Sequence, residues 1–148
     1  MKGRAKLCRR AFACAVAAAC VGGTASAADA ASLSVSVKPK NSHPGGHYSI
    51  TVKGKVRHGQ LKNHPFLIAW IQYSSQSCGS TAQKEFNRLK SAPYIQDTIT
   101  ATTFKVVRGF VVGSPGTRRI CAYLYSHYIQ PTSSASPIAR ASAKEIVT

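Results

Sequence analysis

Carboxylates are scarce in this chain. The sequence holds 4 Asp and Glu against 20 Lys and Arg. That scarcity weighs against acid–base hydrolysis, because a glycosidase-type reaction needs two carboxylates to converge on one bond. The acids are Asp29, Glu85, Asp97 and Glu145. Asp29 falls near the expected mature N-terminus, and Glu85, on an expected helix, has basic neighbours to pair with. The G-x-S-x-G elbow, the glycine-rich phosphate cradle and the H-E-x-x-H zinc motif are also missing, which removes the familiar signatures of serine hydrolysis, nucleotide binding and zinc proteolysis. An enzyme is the class this sequence fits least.

Long apolar runs are equally few. Residues 11–21 form the sole extended one, and they are too short to span a bilayer as a mature helix. Lys2, Arg4, Lys6, Arg9 and Arg10 precede the run, and Ala25-Ser26-Ala27 follows it. This is the layout of a secretory signal peptide, 1–27, with the cut expected after Ala27. Lipidation at Cys20 is the rival reading. It is the weaker one, because Ala17-Ala18-Ala19 lacks the Leu that a lipobox places first. Residues 28–148 then form a single domain of 148 − 27 = 121 residues. No second apolar run is present, so no membrane span is expected.

Processing also changes the cysteines and the charge. Cys8, Cys14 and Cys20 leave with the leader, and Cys78 and Cys121 stay. Two cysteines in an oxidising compartment are expected to pair as a disulfide. The rival, Cys78 as a nucleophile at a helix start, finds no Cys-plus-His signature to support it. Five bases leave and no acid does, so the mature net charge is 15 − 4 = +11. A surface so basic favours polyanions.

What is present reads mostly as strand. Leu33, Val35 and Val37 alternate with Ser32, Ser34, Ser36 and Lys38, the period of a half-buried strand. In 47–57, Tyr48, Ile50 and Val52 point one way. Lys53, Lys55 and Arg57 point the other. Residues 66–74, FLIAWIQYS, fit a central strand covered on both faces, and Trp70 needs a partner for its N–H. Residues 102–112 and 118–125 follow as strands, and 139–147 closes. Gly54 and Gly109 are candidate bulges.

Between the central and later strands lies CGSTAQKEFNRL, 78–89. Ala82, Phe86 and Leu89 share one helical face, and Ser80 with Gln83 fits a capping box. A helix of about three turns starting near Ser80 is expected. Lys84, Arg88 and Lys90 lie off its apolar face. Six or seven short strands with one short helix after the central strand make an antiparallel β-sandwich, mainly β.

The segments LSVSVKP, PGGHYSITVKG and SPGTRRICAYLYS, with the Cys-to-helix insertion between them, resemble the Ig-like β-sandwich domains of secreted bacterial proteins. GTRRICAYL, 116–124, is similar to a G-T-Y-R-x-C-A-Y-type late strand of small exported actinobacterial proteins, with Arg118 where that pattern has Tyr. The resemblance implies an Ig-like sandwich over most of 28–148 and no reaction. Two departures separate it from antibody domains. The second strand carries no Cys, and Arg119 occupies the tyrosine-corner position two residues before Cys121.

The expected function is a secreted, non-enzymatic binding or envelope-associated module. Lys53, Lys55, Arg57, Lys84, Arg88 and Lys90 are its candidate polyanion contacts. Tyr73, Tyr94, Tyr123, Tyr125 and Tyr128 could add aromatic surface. The partner would be an anionic cell-wall polymer or another secreted or surface protein, not nucleic acid, given the exported compartment. A protease inhibitor or other interaction factor presenting 126–131, with His127 and Tyr128 at the tip, is the alternative. An enzyme with an unfamiliar site comes third. No cofactor is expected. His43, His47, His58 and His64 flank the second strand, whose ends lie roughly 30 Å apart, so the four are not expected to meet at one metal; a site of two with a carboxylate or water is the rival to the favoured reading as exposed loop histidines.

Overall fold

The computed structural model describes residues 30–148. The leader, the cut after Ala27, Cys20 and Asp29 lie outside the described residues. Two sheets pack face to face. The first contains β1 (Ser32–Lys38), β3 (His47–Lys55) and β6 (Thr103–Val111), in the order β1-β3-β6. The second runs β2-β8-β7-β4-β5, from β2 (Asn41–Ser42), β8 (Ala139–Val147), β7 (Gly116–Tyr125), β4 (Phe66–Gln72) and β5 (Ile95–Thr98). All pairings are antiparallel except β2 with β8. The first sheet matches strands A, B and E of an immunoglobulin-type sandwich, and β8-β7-β4-β5 matches G, F, C and C′. The mainly β, Ig-like architecture expected from the sequence is therefore the observed one.

Alternation decides which side chains meet. Ile50 and Val52 from β3 pack with Leu67 and Ala69 from β4 and with Ile120, Ala122 and Leu124 from β7 between the sheets. The intervening residues of β4 and β7 face the opposite way. Phe66, Ile68, Trp70, Cys121, Tyr123 and Tyr125 form a second apolar cluster on the outer side of the larger sheet. A sheet with apolar residues on both faces must be covered on both. The helix α1 (Ala82–Leu89) supplies that cover through Ala82, Phe86 and Leu89. Trp70 donates its indole N–H to the carbonyl of Ser91 at 3.2 Å.

Three local expectations are corrected. The cap of α1 is Thr81, not Ser80, and its hydroxyl accepts from the N–H of Lys84 at 3.4 Å. The helix is also shorter than expected, 8 residues. Neither Gly54 nor Gly109 makes a bulge, since the β3–β6 register runs unbroken from His47–Val111 to Lys55–Thr103. Gly54 serves close packing instead. A Cβ there would lie 2.4 Å from Phe104 Cζ and 2.7 Å from the carbonyl of Ser32.

One lateral edge of the sandwich is closed by contacts between the two sheets. Arg108 on β6 reaches Asp97 on β5 at 3.2 Å. Beside them the rings of Tyr94 and Phe110 meet at a tilt of 52°, with centroids 3.9 Å apart. Arg108 therefore interrupts an apolar strand face because it sits at an edge, opposite a carboxylate.

Candidate anion-binding surfaces

Cys78 and Cys121 form a disulfide, with Cα atoms 5.6 Å apart. Cys121 is on the outer face of β7, so the bridge pins the segment before α1 onto the larger sheet. It does not cross between the sheets as the antibody bridge does.

Beneath that segment lies a polar knot that sequence reading missed. Glu85 is fully buried. Its carboxylate accepts from Gln72 Nε2 at 2.7 Å, from the Tyr123 hydroxyl at 3.1 Å, and from the N–H of Gly79. Arg88 Nη1 stands 3.8 Å from it and also donates to the carbonyl of Ser77 at 2.8 Å. A buried charge is tolerated when its hydrogen bonds are satisfied and a counter-charge is near. Burial, and then the Glu85 carboxylate, push the Tyr123 phenol well above the ordinary tyrosine range. Tyr125 is raised by burial too, against a lowering contribution from the N–H of Ala82, which donates to its oxygen at 2.8 Å. The available signal was position: Glu85 lies three residues from Ala82 and one from Phe86, inside the apolar stripe.

Two of the three acids of the described residues pair with arginines, and the third stands across a ladder from one. Glu85 has Arg88, Asp97 has Arg108, and Glu145, buried on β8, lies directly across the ladder from Arg118. The three stand apart, under the helix, at the β5 edge and on β8.

The expected strand bases and helix bases do not form one patch. Lys53 and Lys55 project from the outer face of the three-stranded sheet, opposite Ile50 and Val52. Lys84, Arg88 and Lys90 belong to the helix on the far side of the molecule. Lys84 is exposed, Lys90 caps the helix C-terminus, and Arg88 is held by Glu85 and Ser77. Arg57 has left β3 and precedes the 3-10 helix His58–Asn63. The structure adds a base that sequence reading did not name: Lys105 is the direct cross-strand partner of Lys53. Ser32, Ser34, Lys53, Lys55 and Thr103 line a depression of about 340 Å³ there.

The aromatic expectation is corrected in part. Tyr123 and Tyr125 are core residues. Tyr73 lies under the Arg118 guanidinium at 5.1 Å, Tyr94 on Phe110, and Tyr128 edge-on against Phe66 at 4.8 Å. In the 126–131 loop His127 and Tyr128 are exposed while Ile129 is buried. His43, His47, His58 and His64 are all exposed. Among the described residues no group of three or more His, Cys, Asp or Glu could hold a metal ion, and no helix is long and apolar enough to cross a membrane.

No protein-family model matches the sequence, and no curated protein is significantly similar to it. Solved structures with a similar fold include the CARDB domain of a Pyrococcus furiosus protein, in solution (12% identity, TM-score 0.47, covering 80% of this chain and 96% of that one). They also include a crystal form of that domain in complex with di-metal ions (11% identity, TM-score 0.45, covering 79% and 91%). A third is the human complex of zinc 2-glycoprotein with prolactin inducible protein (11% identity, TM-score 0.40, covering 78% and 91%).

Proposed function

We propose that this protein is a secreted, non-enzymatic binding module whose basic surface engages an anionic polymer of the cell envelope. One observation carries the reading. Lys53 and Lys105 stand directly opposite each other on an open sheet face, with Lys55 one same-face position away. Like charges directly opposite across a ladder are destabilising. No acid among the described residues lies on that face to relieve them. A polymer with regularly spaced negative groups would supply the missing counter-charge, and the surrounding Ser and Thr hydroxyls would bond to its polar backbone.

Export fits the disulfide, which belongs to oxidising compartments. A sandwich stapled outside its core is also suited to presenting a rigid face.

The test is a pull-down on isolated bacterial cell wall at low salt, comparing the wild type with Lys53→Glu/Lys105→Glu. The wild type is expected to sediment with the wall and the variant to lose most of that binding. Wild-type protein that stays in the supernatant, or a folded variant that binds as well, would contradict the reading.

A further inference from the structure

The second basic surface has a different form. Arg119 on β7 faces Lys144 on β8, and Arg140 on β8 faces Tyr123, all on the outer side of the larger sheet. The rows 119/144 and 123/140 flank the central pair Cys121–Ser142. Each is about 7 Å from that pair along the strands, within reach of an arginine side chain. Here the disulfide-pinned segment 77–79 rises over the sheet. Between them lies a cavity of about 360 Å³, lined among others by Ser77, Cys78, Arg119, Tyr123, Arg140 and Ser142.

We infer that this cavity is a binding site for a phosphate group, clamped between the guanidinium groups of Arg119 and Arg140. Three observations converge. Arg119 and Lys144 are a like-charge cross-strand pair, which an anion between them would relieve. Arg119 donates one bond, to the carbonyl of Ser75 at 3.3 Å, while its buried Nε has no hydrogen-bond partner among the described residues. The carboxylate of Glu85, which bonds to Tyr123 of the cavity lining, is already committed to Gln72, Gly79, Tyr123 and Arg88. Guanidinium forks match tetrahedral oxyanions in two-point geometry. Two of them, with the hydroxyls of Ser77 and Ser142, suit a phosphate better than a single carboxylate. The site goes beyond the wall-binding reading and stands independently of it, because Lys53 and Lys105 lie on the opposite face.

Calorimetric titration of the processed protein with inorganic phosphate at low ionic strength tests the site. The wild type is expected to bind saturably at one site. Arg119→Ala and Arg140→Ala should each weaken binding at least tenfold. Arg140→Lys, which keeps the charge of an exposed residue but loses the fork, should weaken it severalfold. Lys53→Ala should leave it unchanged. A short glycerol-phosphate oligomer, titrated into Lys53→Glu/Lys105→Glu so that the lysine face does not contribute, separates the two sources of the group. Tighter binding of the oligomer than of phosphate assigns the site to a polymer phosphodiester, and equal binding assigns it to free phosphate; either outcome supports the site. Failure of the wild type to saturate would overturn it. So would wild-type affinity in a folded Arg140→Lys and Arg140→Ala pair, or an equal loss in Lys53→Ala.

Discussion

The Tyr123 hydroxyl and the Glu85 carboxylate, 38 residues apart in sequence, meet at 3.1 Å beneath the helix. Tyr123 lies 2.9 Å from the carbonyl of Gly79 as well, so one phenol touches both the helix and the segment leading to it. Glu85→Ala would take the carboxylate acceptor from Gln72 and from the N–H of Gly79, and would leave Tyr123 only the carbonyl of Gly79. It is expected to cost about 3 kcal/mol or more. Glu85→Gln keeps the volume but sets a donor against the donor of Gln72, at roughly 1–3 kcal/mol. Urea unfolding measures both. A loss below about 0.5 kcal/mol for the alanine variant would show that the knot is not a stabilising element.

The disulfide joins residues 43 positions apart in sequence. Loop entropy assigns such a crosslink roughly 4 kcal/mol. The double variant Cys78→Ser/Cys121→Ser is expected to lose a comparable amount of stability in equilibrium denaturation. A thiol assay on denatured protein produced from residue 28 onward should find no free thiol. Two free thiols would contradict the bridge.

Gly54→Ala tests the close approach of Phe104. The added methyl would overlap both the ring and the carbonyl of Ser32, and overpacking of this kind costs about 1–3 kcal/mol. Adding Phe104→Leu should recover part of the loss, but not the part due to the backbone contact. An alanine variant as stable as the wild type would refute this account of Gly54.

How much of this was legible depended on period. In β7 the two sets Ile120, Ala122, Leu124 and Cys121, Tyr123, Tyr125 separate by alternation alone, and the structure places them in the two clusters so divided. The helix face was readable for the same reason. β5 was not, because its four residues hold one apolar side chain, Ile95, and no alternation can show. Lys105 was invisible as a site residue because its meaning comes from register, which brings it opposite Lys53 from 52 positions away. Arg119 and Arg140 are likewise joined only by the sheet and by the folding of 77–79 over it. The pairing of Glu85 with a helix base was readable and Arg88 meets it, but the burial of Glu85 was not, because its other partners come from β4, β7 and a loop.

Alkaline pH should unfold the protein early. Burial, and secondarily the neighbouring Glu145, push the Tyr48 phenol up to about 12 from its ordinary 10.0. Tyr123 is raised further by burial. For a group whose folded-state pKa lies above its unfolded value, the native state holds the proton longer. Its stabilising contribution is therefore complete below pH 10 and is lost as pH rises toward the folded value. Stability is expected to fall between pH 10 and about 12, and Tyr48→Phe should flatten that limb. An identical limb in the variant would remove Tyr48 from the explanation.

The central claim is that an acid-free lysine face on one sheet meets a polyanion. Its most direct measurement is the affinity of the processed protein for a glycerol-phosphate polymer as ionic strength is raised. Exposed charges are screened over roughly 8 Å at 0.15 M salt. The account predicts tight binding at low salt, at least a tenfold loss on reaching about that ionic strength, and a shallower salt dependence in Lys53→Glu/Lys105→Glu. Binding that is absent at low salt, or that does not change with salt, would contradict it.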